Sequence, residues 1–142
     1  VILVDANLLL YAKISSYPQH KQAKTWLDET LSSETRIGIP WENIVAFIRI
    51  STNPRIFQKP LSIEDAWHQI EEWLDCPYAW IPTPEENHFE IVKRQIPFCK
   101  GESGLIHDAQ LVALAISHGL TIYSADNDFS RFKEVSWVNP IN

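Results

Sequence analysis

Two short strand-like runs, Val1–Val4 (VILV) and Leu120–Ser124 (LTIYS), each lead within two residues to an aspartate. An apolar run of that length is too short for a helix and reads as a strand covered on both faces. Between them the chain alternates. Asp5 can cap a short helix over Leu8–Ala12. A second helix follows over His20–Leu31, with Ala23, Trp26, Leu27 and Leu31 on one face. Arg36–Ile39 is β-rich, and Pro40 sits well as the first residue of a helix through Ile50. Thr52–Pro60, with two prolines, reads as a loop. Ser62 opens a helix to about Asp75, with Glu64 and Asp65 in its first turn. Ala79–Ile81 reads as a short strand, Pro84–Gln95 as a helix and Pro97–Gly104 as a loop. Leu105–His118 is apolar nearly all round, which predicts a central buried helix stopped by Gly119. Val135–Val138 reads as a last strand. This alternation predicts one α/β domain over residues 1–142, with a mostly parallel central sheet flanked by helices.

Charge and composition exclude several classes. With 142 residues, 45% of them hydrophobic and 21% charged, the chain is long enough to bury a core as one globular domain. No apolar run approaches the ~20 residues of a membrane-spanning helix. VILV lacks the length and the basic flank of a signal peptide, so it is expected to be a strand at the start of the protein. Cys76 and Cys99 show neither zinc nor disulfide spacing, and a cytoplasmic setting with reduced thiols is expected. A net charge of −6 argues against binding nucleic acid through a broad basic surface. Nucleic acid remains possible as a substrate, because a local knot of carboxylates can recruit metal ions that offset its charge.

The carboxylates follow the strands. In open α/β sheets ligands bind beyond the carboxyl ends of the strands. Asp5 directly follows the first strand, Asp126 lies two residues after Leu120–Ser124, and Asp128 two further on. Glu42 lies three residues after Arg36–Ile39, in the first turn of the next helix. Asp108 stands in the first turn of the most apolar helix, where burying its charge is costly unless it is paired or metal-bound. Each acid also has a plainer role open to it: Asp5 as a helix cap, Glu42 and Asp108 as first-turn acids, Asp126 and Asp128 in an Asx turn. Taken together they predict one site for a hard divalent ion such as Mg²⁺ or Mn²⁺, which prefers oxygen ligands and can activate water for hydrolysis. Asp5 and Asp108 rank as the first ligands, Asp126 next, Glu42 through water, and Asp128 as the most dispensable. His107, about 100° round the helix from Asp108, reads as structural. Trp26, Trp67 and Trp73 fall on helical apolar stripes and read as core.

The segments VDANLLLYA, PWENIVAFIRISTNPRIF, HDAQLVALAISHG, SADNDFSRF and SWVNP occur in this order along nearly the whole chain. In them the protein resembles the PIN-domain ribonucleases of the VapC toxin type. That resemblance implies Mg²⁺- or Mn²⁺-dependent cleavage of RNA, with structured RNA such as tRNA as a plausible substrate. It maps the family's acids onto Asp5, Glu42, Asp108 and Asp126, with Asp128 auxiliary and Asn7 and Ser124 supporting. It also implies a homodimer and a small antitoxin partner whose C-terminal segment lies across the groove. Two positions depart from the pattern: Gln110 where a His is common, and Asn127 where an Arg is common.

For substrate grip, Arg49 is the strongest cation, two turns beyond Glu42 on a similar helix face; Arg55 is a second candidate, while Lys59 reads as solvated surface. Other readings stay open. A haloacid-dehalogenase-like phosphatase would want an Asp at position 7, which is Asn. A phosphoacceptor receiver would want a Lys after a late strand, which SADNDF does not offer. A catalytically silent PIN-like module that only binds a partner is the alternative from another class.

Overall fold

Strand β1 (Ile2–Val4) is buried at all three positions, and its alternate side chains enter different cores. Ile2 and Val4 pack with helices on one face, Leu3 with those on the other. That is the period-two geometry of a strand, and it is why the run is apolar without interruption. The computed structural model describes residues 1–141. The other strands are β2 (Ile37–Gly38), β3 (Ala79–Trp80), β4 (Thr121–Tyr123) and β5 (Trp137–Val138), in the sheet order β3-β2-β1-β4-β5. All four pairings are parallel, as the alternation of strands and helices predicts.

Helices α1 (Ala6–Lys13), α2 (His20–Leu31), α3 (Trp41–Ser51) and α4 (Ile63–Leu74) supply one core. It is built on Leu8, Leu9, Leu27, Ile44, Phe47 and Ile70. Helices α5 (His88–Cys99) and α6 (Ile106–His118) supply the other. Leu111 to Ala115 are buried without a break, the environment the apolar sequence of α6 calls for. Gly119 ends α6 at φ 68°, a left-handed stop that glycine takes without a Cβ clash.

Four local expectations are corrected. Helix α5 starts and ends four residues later than Pro84–Gln95 and runs through Pro97. Pro97 removes only one late hydrogen bond, to the Lys93 carbonyl. Ile91, Gln95 and Cys99, buried at helical spacing, hold that last turn in place. The expected loop therefore shrinks to a reversal at Lys100 (φ 49°) and Gly101 (φ 75°), followed by a 3₁₀ turn at Ser103–Leu105. Pro40 is the cap of α3 and not its first residue, because its ψ of 158° is extended. Trp67 is 43% exposed and Ile63 more so, since the buried stripe of α4 is Ala66, Ile70 and Trp73. Trp73 is core, edge-on to Phe47 at 5.2 Å, and Trp26 is half-buried in a stack on Tyr123 at 5.5 Å. Among the described residues no helix is long and apolar enough to cross a membrane.

Candidate functional site

Strands β1 and β4 pair in register, Val4 beside Tyr123, so the residues just past them, Asp5 and Ser124, are neighbours. The Asp5 N–H donates to the Tyr123 carbonyl at 3.0 Å. The Asp5 carboxylate is shared: Oδ1 accepts from the Ala6 N–H at 2.8 Å, capping α1, and Oδ2 accepts from the Ser124 hydroxyl at 2.7 Å. Ser124 is fully buried, and its Oγ also accepts from Asn7 Nδ2 (3.2 Å) and from the Asp126 N–H (2.9 Å). Its carbonyl accepts from Trp137 Nε1 at 3.0 Å. One serine thus links β1, β4, β5 and α1, and Asn7 and Ser124 stand between Asp5 and Asp126.

Asp126 caps a 3₁₀ turn (Asn127–Arg131), with Oδ1 accepting from the Asp128 N–H at 2.9 Å. That turn folds Asp128 back towards α6. Carboxylate oxygens of Asp108, Asp126 and Asp128 lie within 4.8 Å of one another. Asp128, ranked last from the sequence, stands inside this group, while Asp5 stands beside it with an oxygen bound to Ser124. Distance along the chain does not reveal that a 3₁₀ turn carries Asp128 inward. The plainer roles of Asp5 and Asp126, as cap and Asx turn, exist as well; each leaves carboxylate lone pairs available.

Among the described residues no ion pair or side-chain hydrogen bond engages Asp108. Burial first, and then the charges of Asp126, Asp5 and Asp128, push its carboxyl up from 3.8 to about 7. Burial also raises Asp5, with Asp126 adding to the rise. The hydrogen bonds from Ser124 and Ala6 and the nearby His107 oppose it. His107 is exposed, so its influence is electrostatic and the structural role expected for it is not seen.

Glu42 occupies the first turn of α3, half-buried. The start of that helix is tied to the end of β1 by Asn43, whose Nδ2 donates to the Val4 carbonyl at 2.8 Å. Asn43 is fully buried and was not anticipated; the available signal was an amide on the same helix face as Ile44 and Phe47. Glu42 therefore belongs to this edge of the sheet but not to the tight group of three. Arg49 is exposed in the last turn of α3, roughly 10 Å along the helix from Glu42. Arg55 and Lys59 are exposed on the loop beyond.

The donor set tests whether a metal ion fits. The group of three is all carboxylate, without His or Cys, which suits a hard divalent cation and not zinc. Burial first, and then the neighbouring aspartates, raise the carboxyls of Asp108 and Asp5, so a cation placed among them would favour their ionised forms. Asp108, Asp126 and Asp128 could hold such an ion, with Asp5 the next carboxylate in reach.

Comparison with known proteins bears on the family and the fold. The PIN domain family model matches residues 2–135. Ribonuclease VapC37 of Mycobacterium tuberculosis is 39% identical over 138 residues, which cover 97% of this chain and 96% of that protein. Among solved structures, FitAB bound to an IR36 DNA fragment aligns with a TM-score of 0.71 at 16% identity, over 100% of this chain and 96% of that one. VapBC2 from Rickettsia felis, bound to a DNA fragment from their promoter, aligns with a TM-score of 0.68 at 15% identity, over 97% of each chain.

Proposed function

The chain belongs to the PIN-domain family, and on that basis we propose that it is a divalent-metal-dependent endoribonuclease, the toxin of a toxin–antitoxin pair. The observation that carries the reading is the meeting of Asp108, Asp126 and Asp128 within 4.8 Å at the carboxyl edge of a parallel sheet. The 39% identity to a ribonuclease over nearly the full length supports RNA as the substrate. A transfer RNA is the structured RNA we would test first.

Asp108, Asp126 and Asp128 would hold Mg²⁺ or Mn²⁺ directly, Asp5 would complete the set, and Glu42 would act through water. When bound, the ion supplies charge that offsets the clustered carboxylates and lowers the pKa of water so that it can attack a phosphodiester. The chain's own residues prepare the place. Ser124 orients Asp5 Oδ2, Asn43 ties the start of α3, which carries Glu42, to the end of β1, and Asp108 gives up its carboxyl proton near neutrality. Arg49 would steady the RNA strand away from the cut.

The partner assignments rest on relatives. The relation to VapC ribonucleases, with the fold shared with VapBC2 and FitAB, supports a cognate antitoxin for this chain. A homodimer in the cytoplasm is the assembly we propose, to be checked by light scattering on the purified protein. The activity has a direct test. Purified protein is expected to cut RNA with Mg²⁺ or Mn²⁺ and to stop in EDTA. Asp5→Asn and Asp108→Asn should lose activity while remaining folded. If those variants cut as well as the parent, the metal-cluster mechanism is wrong; a folded parent that binds Mn²⁺ yet cuts no RNA would favour the silent binding module.

A further inference from the structure

The acidic group has one cation against it. Arg131, at the end of the 3₁₀ turn begun by Asp126, places Nε 3.7 Å from Asp128 Oδ1 and Nη1 3.0 Å from Glu102 Oε1. Among the described residues it is the one Lys or Arg in an ion pair with Asp108, Asp126 or Asp128. Its side chain is about a third exposed, at 36%. A guanidinium carries five N–H donors in a planar fork. The closest approaches of its two ion pairs are through Nη1 and Nε, and part of the fork faces solvent.

A site made of carboxylates on a chain of net charge −6 repels the polyanion it has to admit. The substrate needs a positive group beside the acids, with donors still free and an orientation already set. Arginine suits this because its planar fork matches phosphate geometry and loses less freedom on binding than a lysine. Glu102, on the loop leading into α6, and Asp128, in the acid group, brace the guanidinium from two sides.

We propose that Arg131 is a substrate-binding residue whose guanidinium, braced by Glu102 and Asp128, receives an RNA backbone phosphate next to the bond that is cut. This assignment rests on the nuclease reading above and adds a phosphate contact that the carboxylates cannot make.

The test is binding of a fluorescent single-stranded RNA, followed by anisotropy in Mg²⁺ over a series of salt concentrations. An Asp108→Asn background keeps the strand intact. Adding Arg131→Ala is expected to weaken binding roughly tenfold, the scale of one charge-assisted contact. It should also flatten the slope of log affinity against log salt by about 0.7, as for one single-strand phosphate contact. Arg131→Lys keeps the charge without the fork, so its affinity should fall between the two with the slope retained. Glu102→Gln removes a brace but no cation and should also leave the slope unchanged. Circular dichroism melting reports the fold of each variant, and if the Ala variant melts early, Arg131→Gln carries the same measurement. Affinity and slope both unchanged in the charge-removed variant overturn the assignment. So does weaker Mn²⁺ binding with an unchanged slope, which would mean that Arg131 only holds Asp128. Cleavage by the native protein alongside either of those results removes the Arg131 contact alone; a native protein that neither binds nor cuts RNA removes the nuclease reading and this assignment together.

Discussion

Asp108 is where physical chemistry speaks most directly about the site. Its carboxyl is raised from 3.8 to about 7 by burial and by three neighbouring aspartates, so the ion-free fold holds a proton that the unfolded chain has already released. The folded state therefore binds more protons between about pH 4 and pH 7, and the sign follows. The contribution is fully present below the unfolded value and is lost as pH rises through about 7. Asp108→Asn is expected to stabilise the protein in EDTA at about pH 8, by about 1–2 kcal/mol because a half-buried charge is partly screened by solvent. It should also flatten the dependence of stability on pH across that window; urea unfolding at several pH values measures both, and an unchanged slope would mean that Asp108 is ionised throughout. Asp5, Asp108 and Asp126 were legible as a set because each stands at a strand end or in an apolar helix. Asp128 was read into the same set but ranked last, and Arg131 was not read at all, because their positions depend on a 3₁₀ turn that the sequence does not announce.

At the level of elements, the site depends on how α3 and β1 are joined. Asn43 is buried with Ile44 and Phe47 on the inner face of α3, and its amide donates to the last carbonyl of β1. Asn43→Ala leaves that buried carbonyl without a partner, at a cost of about 1–3 kcal/mol. It also frees the first turn of α3, so RNA cleavage is expected to fall even where the protein is still fully folded. Chemical denaturation and a cleavage assay at a temperature well below the melting point separate the two effects. Loss of stability with full activity would mean that Glu42 does not depend on this tie. Periodicity located α2, α3, α4 and α6 well, because each buries a stripe at helical spacing. It misplaced α5 because Pro97 reads as a stop, whereas the α5–α6 contact holds the helix together past it.

Across the whole molecule, a chain of net charge −6 folds so that acids from the end of β1, the start of α6 and the turn after β4 meet at one edge. On the proposed function folding would be linked to metal binding, since ligands must be deprotonated and are assembled only in the native state. The melting temperature is expected to rise with added Mn²⁺, and to rise more at about pH 8 than at about pH 6, where Asp108 still holds its proton. Differential scanning calorimetry at both pH values checks this; a shift independent of pH would place the ion away from Asp108. The sequence by itself determined the fold class, because uninterrupted strands and an all-apolar helix have no other way to hide from water. It also determined which strand ends carry acids, since those positions are local. Which acids share a space, and that a buried serine and asparagine align them while Arg131 stands against them, was decided only by tertiary structure. Those contacts join Asp5 to Ser124, Val4 to Asn43 and Glu102 to Arg131, pairs far apart in sequence that no local pattern connects.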